Sequence, residues 1–568
     1  MAIPERLQQI LLNSNDDRWY RLAILVVICA MGGSCSIGHA QGTERTPRPN
    51  LLLILTDDQG WGTLGCYGGT KVPTPHLDRL AEEGARFTDG YVTSQCTPTR
   101  ATLLTGQYTA RHGLWHVLPW YGYPYARMTE PMFAQNFSRK QYTLAKGLRE
   151  AGYRTAIVGK WHLTANADGN YMGLHPHASS HYGFDHAPPI LTREHFAPGA
   201  DRGVEELTTQ ALAFIAESKD KPWFCFLSHH MIHGKVVAPD DITARYRERG
   251  YGDDGPDRAV YLAGLECIDR SIGRLRQGLE ELGEADETLI LFLSDNGGID
   301  ERLNFKEMPS DDFAAQCRNF MDGKPREIDQ AVGGETLEMD GSTVPTSSPF
   351  PIDLIEYDNA PLRAGKGSTY EGGIRVPWIA WWPGHIESGA VFESPVHAVD
   401  ILPTLLEFAG GSSPESHVTD GQSLLPMLTR KESGTLQDRP IFQYYPFYDL
   451  RWGATPNASI RVGDYKLIEF FGDRVTKEHC YVMQPSVELY HLRSDIGENH
   501  DLASREPERV RRMRARLHEW IDGLSARTPQ INPHFDPERP WYETREKPPW
   551  LKDAQWSPAK PQRHDQPH

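Results

Sequence analysis

The chain has 568 residues, 39% of them hydrophobic and 24% charged, with a formal net charge of -17. That length exceeds one compact core and implies two domains plus tails of an ordinary globular composition. An acidic chain is excluded from coating nucleic acid, whose affinity rests on neutralising phosphates, so an anionic substrate must be met by a local cluster of cations.

Residues 22–31 form an apolar run that follows Arg18 and Arg21 and precedes small residues ending at Ala40. The run is too short for a membrane span and reads as a signal peptide over 1–40, so a periplasmic or secreted protein with no membrane span after processing is expected. Cys35, after Gly-Gly-Ser, offers a lipid-anchored alternative, and an uncleaved anchor is another. Eight cysteines at 29, 35, 66, 96, 225, 267, 317 and 480 contain no CxxC pair, which argues against a disulfide scaffold and against zinc or thiol-redox chemistry.

After a linker over 41–48, Asn50 to Leu55 reads as a strand buried on both faces, and it runs into Thr56-Asp57-Asp58-Gln59-Gly60. Adjacent carboxylates there need a positive partner unless they form a solvated turn, and ligands of open α/β sheets gather at that end of the strands. Thr74-Pro75 opens a helix closed by Gly84. A strand near Tyr91 and Val92 then leads to Cys96-Thr97-Pro98-Thr99-Arg100. Thr97 is predicted as an N-cap and Pro98 as the first helical residue, with a stop near Gly106. Cys96 would sit just outside that helix N-terminus, where unpaired N–H groups and the dipole favour an anion and lower a thiol pKa. Residues 115–125 form an aromatic loop suited to stacking on sugar rings or to packing on the surface.

A helix over 144–150 and a strand over 155–158 deliver Gly159-Lys160-Trp161-His162-Leu163. A helix over 204–218 and a strand over 223–227 deliver Ser228-His229-His230-Met231-Ile232-His233, where at least one histidine is functional. A helix over 258–282 and a strand over 288–293 deliver Ser294-Asp295-Asn296-Gly297-Gly298. Asp57, Asp58, Asp295 and Asn296 make an all-oxygen set, which selects Ca²⁺ or Mg²⁺ over Zn²⁺. Residues 299–355 read as a long insertion loop. Lys366 follows within Gly365-Lys-Gly, ahead of a strand over 376–381 and a helix over 400–410.

This alternation predicts a large doubly wound mixed α/β sheet flanked by helices over 49–435. Over 436–530 a hairpin turning at Gly463-Asp464, a strand at 488–492 and a helix over 507–521 predict a smaller C-terminal α+β domain with an antiparallel sheet. Residues 531–568 form a tail rich in proline and charge.

From about residue 49 to 525 the chain resembles the formylglycine-dependent sulfatases of the alkaline phosphatase superfamily. Cys96-Thr-Pro-Thr-Arg100 matches that family's Cys-x-Pro-x-Arg modification signature. Thr56-Asp-Asp-Gln-Gly60, Gly159-Lys-Trp-His-Leu163, Ser294-Asp-Asn-Gly-Gly298 and Gly365-Lys-Gly with Tyr370-Glu-Gly-Gly match its other motifs in order. The resemblance implies an alkaline-phosphatase-like fold, conversion of Cys96 to Cα-formylglycine by a separate maturation enzyme, and one divalent cation, Ca²⁺ ahead of Mg²⁺. Asp57, Asp58, Asp295, Asn296 and an oxygen of modified Cys96 would hold the cation. Arg100 and Lys160 would fix the formylglycine, and His162 would take the proton of its second hydroxyl. Lys160, His233 and Lys366 would bind sulfate, with His233 or Lys366 assisting the leaving oxygen. His233 is chosen because Ala238-Pro239 follows it; His229 and His230 are alternatives, and Lys235 is an extra cation nearby. The expected substrate is a sulfated carbohydrate. A phosphate or phosphonate monoester hydrolase of the same superfamily, and a glycan-binding relative that keeps Cys96 as a thiol, are the competing functions.

Overall fold

The computed structural model describes residues 48–301 and 358–535, apart from gaps at 119–122, 132–133, 254–257, 431–435, 450–451 and 477–480 and a few single positions, with only short strand backbones between 336 and 356. The signal peptide, the linker to residue 47, most of the 299–355 insertion, Lys235 and the tail beyond 535 lie outside the described residues.

The larger, N-terminal part is built from β1 (Asn50–Thr56), α1 (Pro75–Glu83), β2 (Ala85–Phe87), α2 (Cys96–Thr105), α3 (Leu144–Glu150), β3 (Arg154–Gly159), α4 (Val204–Ala216), β4 (Trp223–Ser228), α5 (Ala259–Leu282), β5 (Thr288–Ser294), β6 (Trp378–Trp381), β7 (Ala390–Phe392) and α6 (Ile401–Phe408). The continuous apolar run of β1 follows from burial on both faces. Leu51, Leu53 and Leu55 pack into one core with Leu103 and Leu104 of α2, Leu144 of α3 and Leu402 of α6. Leu52 and Ile54 pack into the opposite core with Leu77 of α1, Phe214 of α4 and Leu265 of α5. Alternate side chains therefore feed two helix layers, which is the pattern of a sheet covered on both sides.

The sheet runs β7-β2-β6-β5-β1-β4-β3. β5, β1, β4 and β3 are parallel, with Leu53 opposite Phe226 and Leu291. β6 is antiparallel to both β5 and β2. The strand expected to begin at Val376 begins at Trp378 instead, because Pro377 has no N–H to donate to a ladder. The four parallel strands all end at the same edge, and that edge is where the polar motifs converge.

The C-terminal part forms an antiparallel sheet of β8 (Ile441–Tyr445), β9 (Asn457–Val462), β10 (Tyr465–Phe470) and β11 (Ser486–His491), covered by α7 (Pro507–Gly523). Gly463, at φ 57°, makes the turn between β9 and β10. Met513, Leu517 and Ile521 of α7 bury against Ile460, Leu467 and Leu489, each such side chain contributing about 1.5–3 kcal/mol. Lys466 of β10 reaches Glu371 and Glu498 at 2.9 Å each. It thereby ties the small sheet to the segment that follows Lys366.

Candidate active site

Each parallel strand hands its next residues to one spot: β1 leads into Asp57 and Asp58, β3 into Lys160 to His162, β4 into His229 to His233, and β5 into Asp295 and Asn296. Two glycines permit the convergence. Gly159 lies at φ 99°, and a Cβ on it would stand 2.1 Å from the Ser228 carbonyl oxygen, so only glycine lets β3 turn into Lys160 against β4. A Cβ on Gly297 would stand 1.7 Å from the Gly372 oxygen. That close approach, with Gly297 N–H donating to Gly373 O and Lys366 N–H to Gly298 O, hangs Lys366 over the end of β5. Asp58 and His162 are held at φ 60° and 52°, a backbone region that costs non-glycine residues about 1–3 kcal/mol.

Cys96 is the first residue of α2, and Gln95, in extended backbone, is its N-cap residue. This corrects the expected Thr97 cap. Thr97 lies inside the helix and its hydroxyl donates to His162 O at 2.7 Å, while Thr99 Oγ1 accepts from Thr93 N–H at 3.0 Å. Gly106, at φ 64°, ends the helix where expected. Cys96 Sγ lies 3.5 Å from Asp57 Oδ1 and 3.9 Å from Asp58 Oδ1. The helix end was expected to lower its pKa, yet the thiol is pushed above its usual range. Burial is the main cause, Asp295 adds to it, and Lys160 and Lys366 do not outweigh the two. Cys96 as encoded is therefore a neutral thiol and a poor nucleophile.

The charges are arranged in matched pairs. Lys160 Nζ donates to Asp57 Oδ2 at 2.6 Å and Lys366 Nζ to Asp58 Oδ2 at 2.8 Å. Arg100, fully buried, donates from Nε and Nη2 to Asp295 Oδ2 at 3.1 and 2.7 Å. Its Nη1 donates to Lys160 O at 3.1 Å and to Ser228 Oγ. Burial pushes the Asp57 carboxyl up, but Lys160, His233, Arg100 and Lys366 together hold it well below the carboxylate range. Asp58 goes the other way, since burial prevails over Lys366. Asp295 is raised to about 6 by burial and then by Asp57, against the pull of Arg100.

Asp57, Asp58, Cys96 and His233 place one donor atom each within 4.8 Å of one another. Asp295 stands beside this set, its Oδ1 accepting Asp58 N–H at 3.2 Å. Asn296 Nδ2 donates to Asp58 Oδ1 at 2.7 Å, and its buried Oδ1 has no hydrogen-bond partner among the described residues. A buried acceptor lacking a donor, next to three carboxylates, fits a hard divalent cation.

The histidines separate by environment. His229 is fully buried, neither ring nitrogen has a hydrogen-bond partner among the described residues, and burial lowers its pKa to about 3. His230 Nε2 donates to Met172 O at 3.0 Å. His233 is the one whose ring approaches the acids, with Nε2 3.8 Å from Asp58 Oδ2 and its side chain 37% exposed. His162 Nε2 donates to Leu118 O at 3.2 Å, which makes Nδ1 the acceptor nitrogen. Burial, followed by Lys160 and Arg100, lowers its pKa well below the usual value, so the ring is neutral. Of the three histidines after β4, the structure brings His233, chosen in the sequence for the Ala238-Pro239 that follows it, to the acid pair, and leaves His229 and His230 away from it.

Residues 49–411 match the Sulfatase family model, and residues 365–526 match the model for the C-terminal region of N-sulphoglucosamine sulphohydrolase. Human arylsulfatase A is 29% identical over 516 residues, spanning 83% of this chain and 86% of the relative. Human N-acetylgalactosamine-6-sulfatase is 30% identical over 436 residues, 71% of this chain and 70% of the relative. Among solved structures, that of Ps i-CgsB in complex with k-i-k-neocarrahexaose superposes with a TM-score of 0.61 at 24% identity, covering 86% of this chain and 95% of the other. The phosphonate monoester hydrolase of Agrobacterium radiobacter shares the fold at a TM-score of 0.52 and 21% identity, covering 85% and 97%. The fold alone thus accommodates more than one chemistry, whereas the family model spans most of the larger, N-terminal part and the curated relatives are sulfuric ester hydrolases: the chain belongs to the sulfatase family and is an enzyme of that class.

Proposed function

We propose that this protein is an exported hydrolase of sulfate monoesters on a sulfated glycan, working through Cα-formylglycine at position 96. The observation that carries this reading is the place of Cys96. It is the buried first residue of a helix, a poor nucleophile as a thiol, and it faces Asp57 and Asp58 with Lys160 and Lys366 on either side. A hydrated aldehyde there has the two hydroxyls the reaction needs. One attacks sulfur and forms a sulfate ester on residue 96 while the alcohol departs. The second is deprotonated by the neutral His162, the carbonyl re-forms, and the carbon–oxygen bond to sulfate breaks.

Arg100 contributes by fixing Asp295 and the Lys160 backbone, and Lys160, Lys366 and His233 neutralise the sulfate and the leaving oxygen. Asp57, Asp58, Asp295 and Asn296 would hold Ca²⁺ or Mg²⁺, which when bound supplies Lewis-acid polarisation of sulfate and a lowered hydroxyl pKa. The substrate class is supported by similar proteins: one relative is named N-acetylgalactosamine-6-sulfatase, and a structural neighbour was solved with k-i-k-neocarrahexaose. No helix among the described residues is long and apolar enough to cross a membrane. Sulfate release from sulfated mono- and oligosaccharides, measured beside phosphate and phosphonate monoesters, tests the reading. Preference for sulfate esters is expected, and faster turnover of a phosphonate ester would reassign the enzyme.

A further inference from the structure

Beside the catalytic centre lies a cavity of about 340 Å³, lined by Asn170, Met172, Ile190, Leu191, Arg193 and Phe196 among others. It is bolted to the catalytic loops from two sides. His162 N–H donates to Asn170 O at 3.1 Å, so the wall follows the same segment that carries His162. His230 Nε2 donates to Met172 O, and the Phe196 ring meets the His230 ring edge to face at 5.3 Å between centroids. Arg202 holds the other parts in place: its Nε donates to His230 O at 2.9 Å, and its guanidinium lies 5.3 Å from the centre of the Phe196 ring. The loops that carry His162 and His230 are thus in direct contact with the cavity wall, and none of the residues assigned to sulfate chemistry lines the cavity.

The lining has two kinds of surface. Met172, Ile190, Leu191 and Phe196 give an apolar floor with one aromatic ring, suited to the C–H face of a sugar. Arg193 is exposed at the rim and makes no ion pair among the described residues, which leaves a planar fork that matches a carboxylate or sulfate bidentately. A volume of this size exceeds what an inorganic sulfate needs and suits a ring bearing such a group.

We propose that this cavity is a second saccharide subsite, which binds an anionic sugar, a uronic acid or a further sulfated residue, linked to the one whose sulfate is cleaved. The proposal rests on the sulfatase reading above and sharpens it from sulfate esters in general to acidic oligosaccharides of at least two units. The test compares the wild type with Arg193→Ala and Phe196→Ala on three probes: 4-nitrophenyl sulfate, 6-sulfated N-acetylgalactosamine, and the disaccharide of that sugar with a uronic acid. The wild type is expected to prefer the disaccharide over the monosaccharide in kcat/KM, and each variant to lose about tenfold on the disaccharide. Arg193→Ala should match the wild type on the two smaller probes, and Phe196→Ala should lose more on the disaccharide than on either of them. An equal loss on all three probes, or an unchanged preference in both variants, would overturn the subsite. Binding of the disaccharide and monosaccharide to Cys96→Ala, by calorimetry, reads the cavity without turnover. If no sulfate ester is hydrolysed by the wild type while Cys96→Ala still prefers the disaccharide and Arg193→Ala in that background removes the preference, the sulfatase reading fails and the subsite stands.

Discussion

Replacing Arg100 by methionine removes the buried cation that faces Asp295 and keeps most of its apolar volume. Asp295 would lose two donors at 2.7 and 3.1 Å, and Lys160 O and Ser228 Oγ one each. Breaking a buried pair from one side costs about 3–5 kcal/mol, because the remaining charge has no partner. The pH dependence discriminates this cause from simple loss of packing. Asp295 is raised to about 6, chiefly by burial, above an unfolded value of about 3.9. The native state therefore binds the proton more tightly, and stability falls as pH rises through that window. Without Arg100 the folded pKa climbs further and the window extends upward. The deficit of the variant should be smaller at pH 5.5 than at pH 8, by about 1.4 kcal/mol for each unit the pKa has risen. Urea midpoints of both proteins in chelator, at those two pH values, measure it. A deficit under about 1 kcal/mol, or one of the same size at both pH values, would refute the reasoning.

Other consequences are as direct. Lys366→Ala should lower kcat by about 10²–10³, the usual loss for one preorganised group that stabilises transition-state charge; steady-state kinetics on an aryl sulfate reads this, and a change under about threefold would remove Lys366 from the site. Chelation should abolish turnover and lower the melting temperature, and Ca²⁺ at about 100 times its Kd should return about 2.7 kcal/mol of stability; a melting curve indifferent to chelator and Ca²⁺ would contradict the oxygen-donor site. Gly297→Ala places a methyl 1.7 Å from the Gly372 oxygen and should destabilise by at least about 1–3 kcal/mol while displacing Lys366; normal stability and activity there would contradict the observed backbone approach.

Much of this arrangement is legible in the sequence, for a specific reason. A buried parallel strand announces itself by an unbroken apolar run, as in Leu51 to Leu55, and the residues after it must emerge at the sheet edge. Asp57, Lys160, His233 and Asp295 could be collected at one place on that logic alone. What stayed hidden depends on side chains finding partners far away in sequence. The Thr97 hydroxyl goes to His162 O instead of capping its own helix, and the helix starts two residues earlier than expected, at Cys96. Local capping rules describe a competition that a distant carbonyl can win. The pKa of Cys96 was misjudged for a similar reason: the dipole argument assumes some solvent, and full burial beside Asp295 outweighs it. The left-handed backbone of Asp58 and His162 carries no composition signal, since neither residue is a glycine. Nor could spacing foresee Lys466 between Glu371 and Glu498, a link that depends on the register of β10.

The central claim is that residue 96 acts as an aldehyde. The mass of the tryptic peptide Phe87–Arg100, from protein made in a host with a formylglycine-generating enzyme, tests it most directly. A peptide lighter than the thiol form that condenses with hydroxylamine to an oxime is the predicted result. An unmodified cysteine in fully active enzyme would contradict the account.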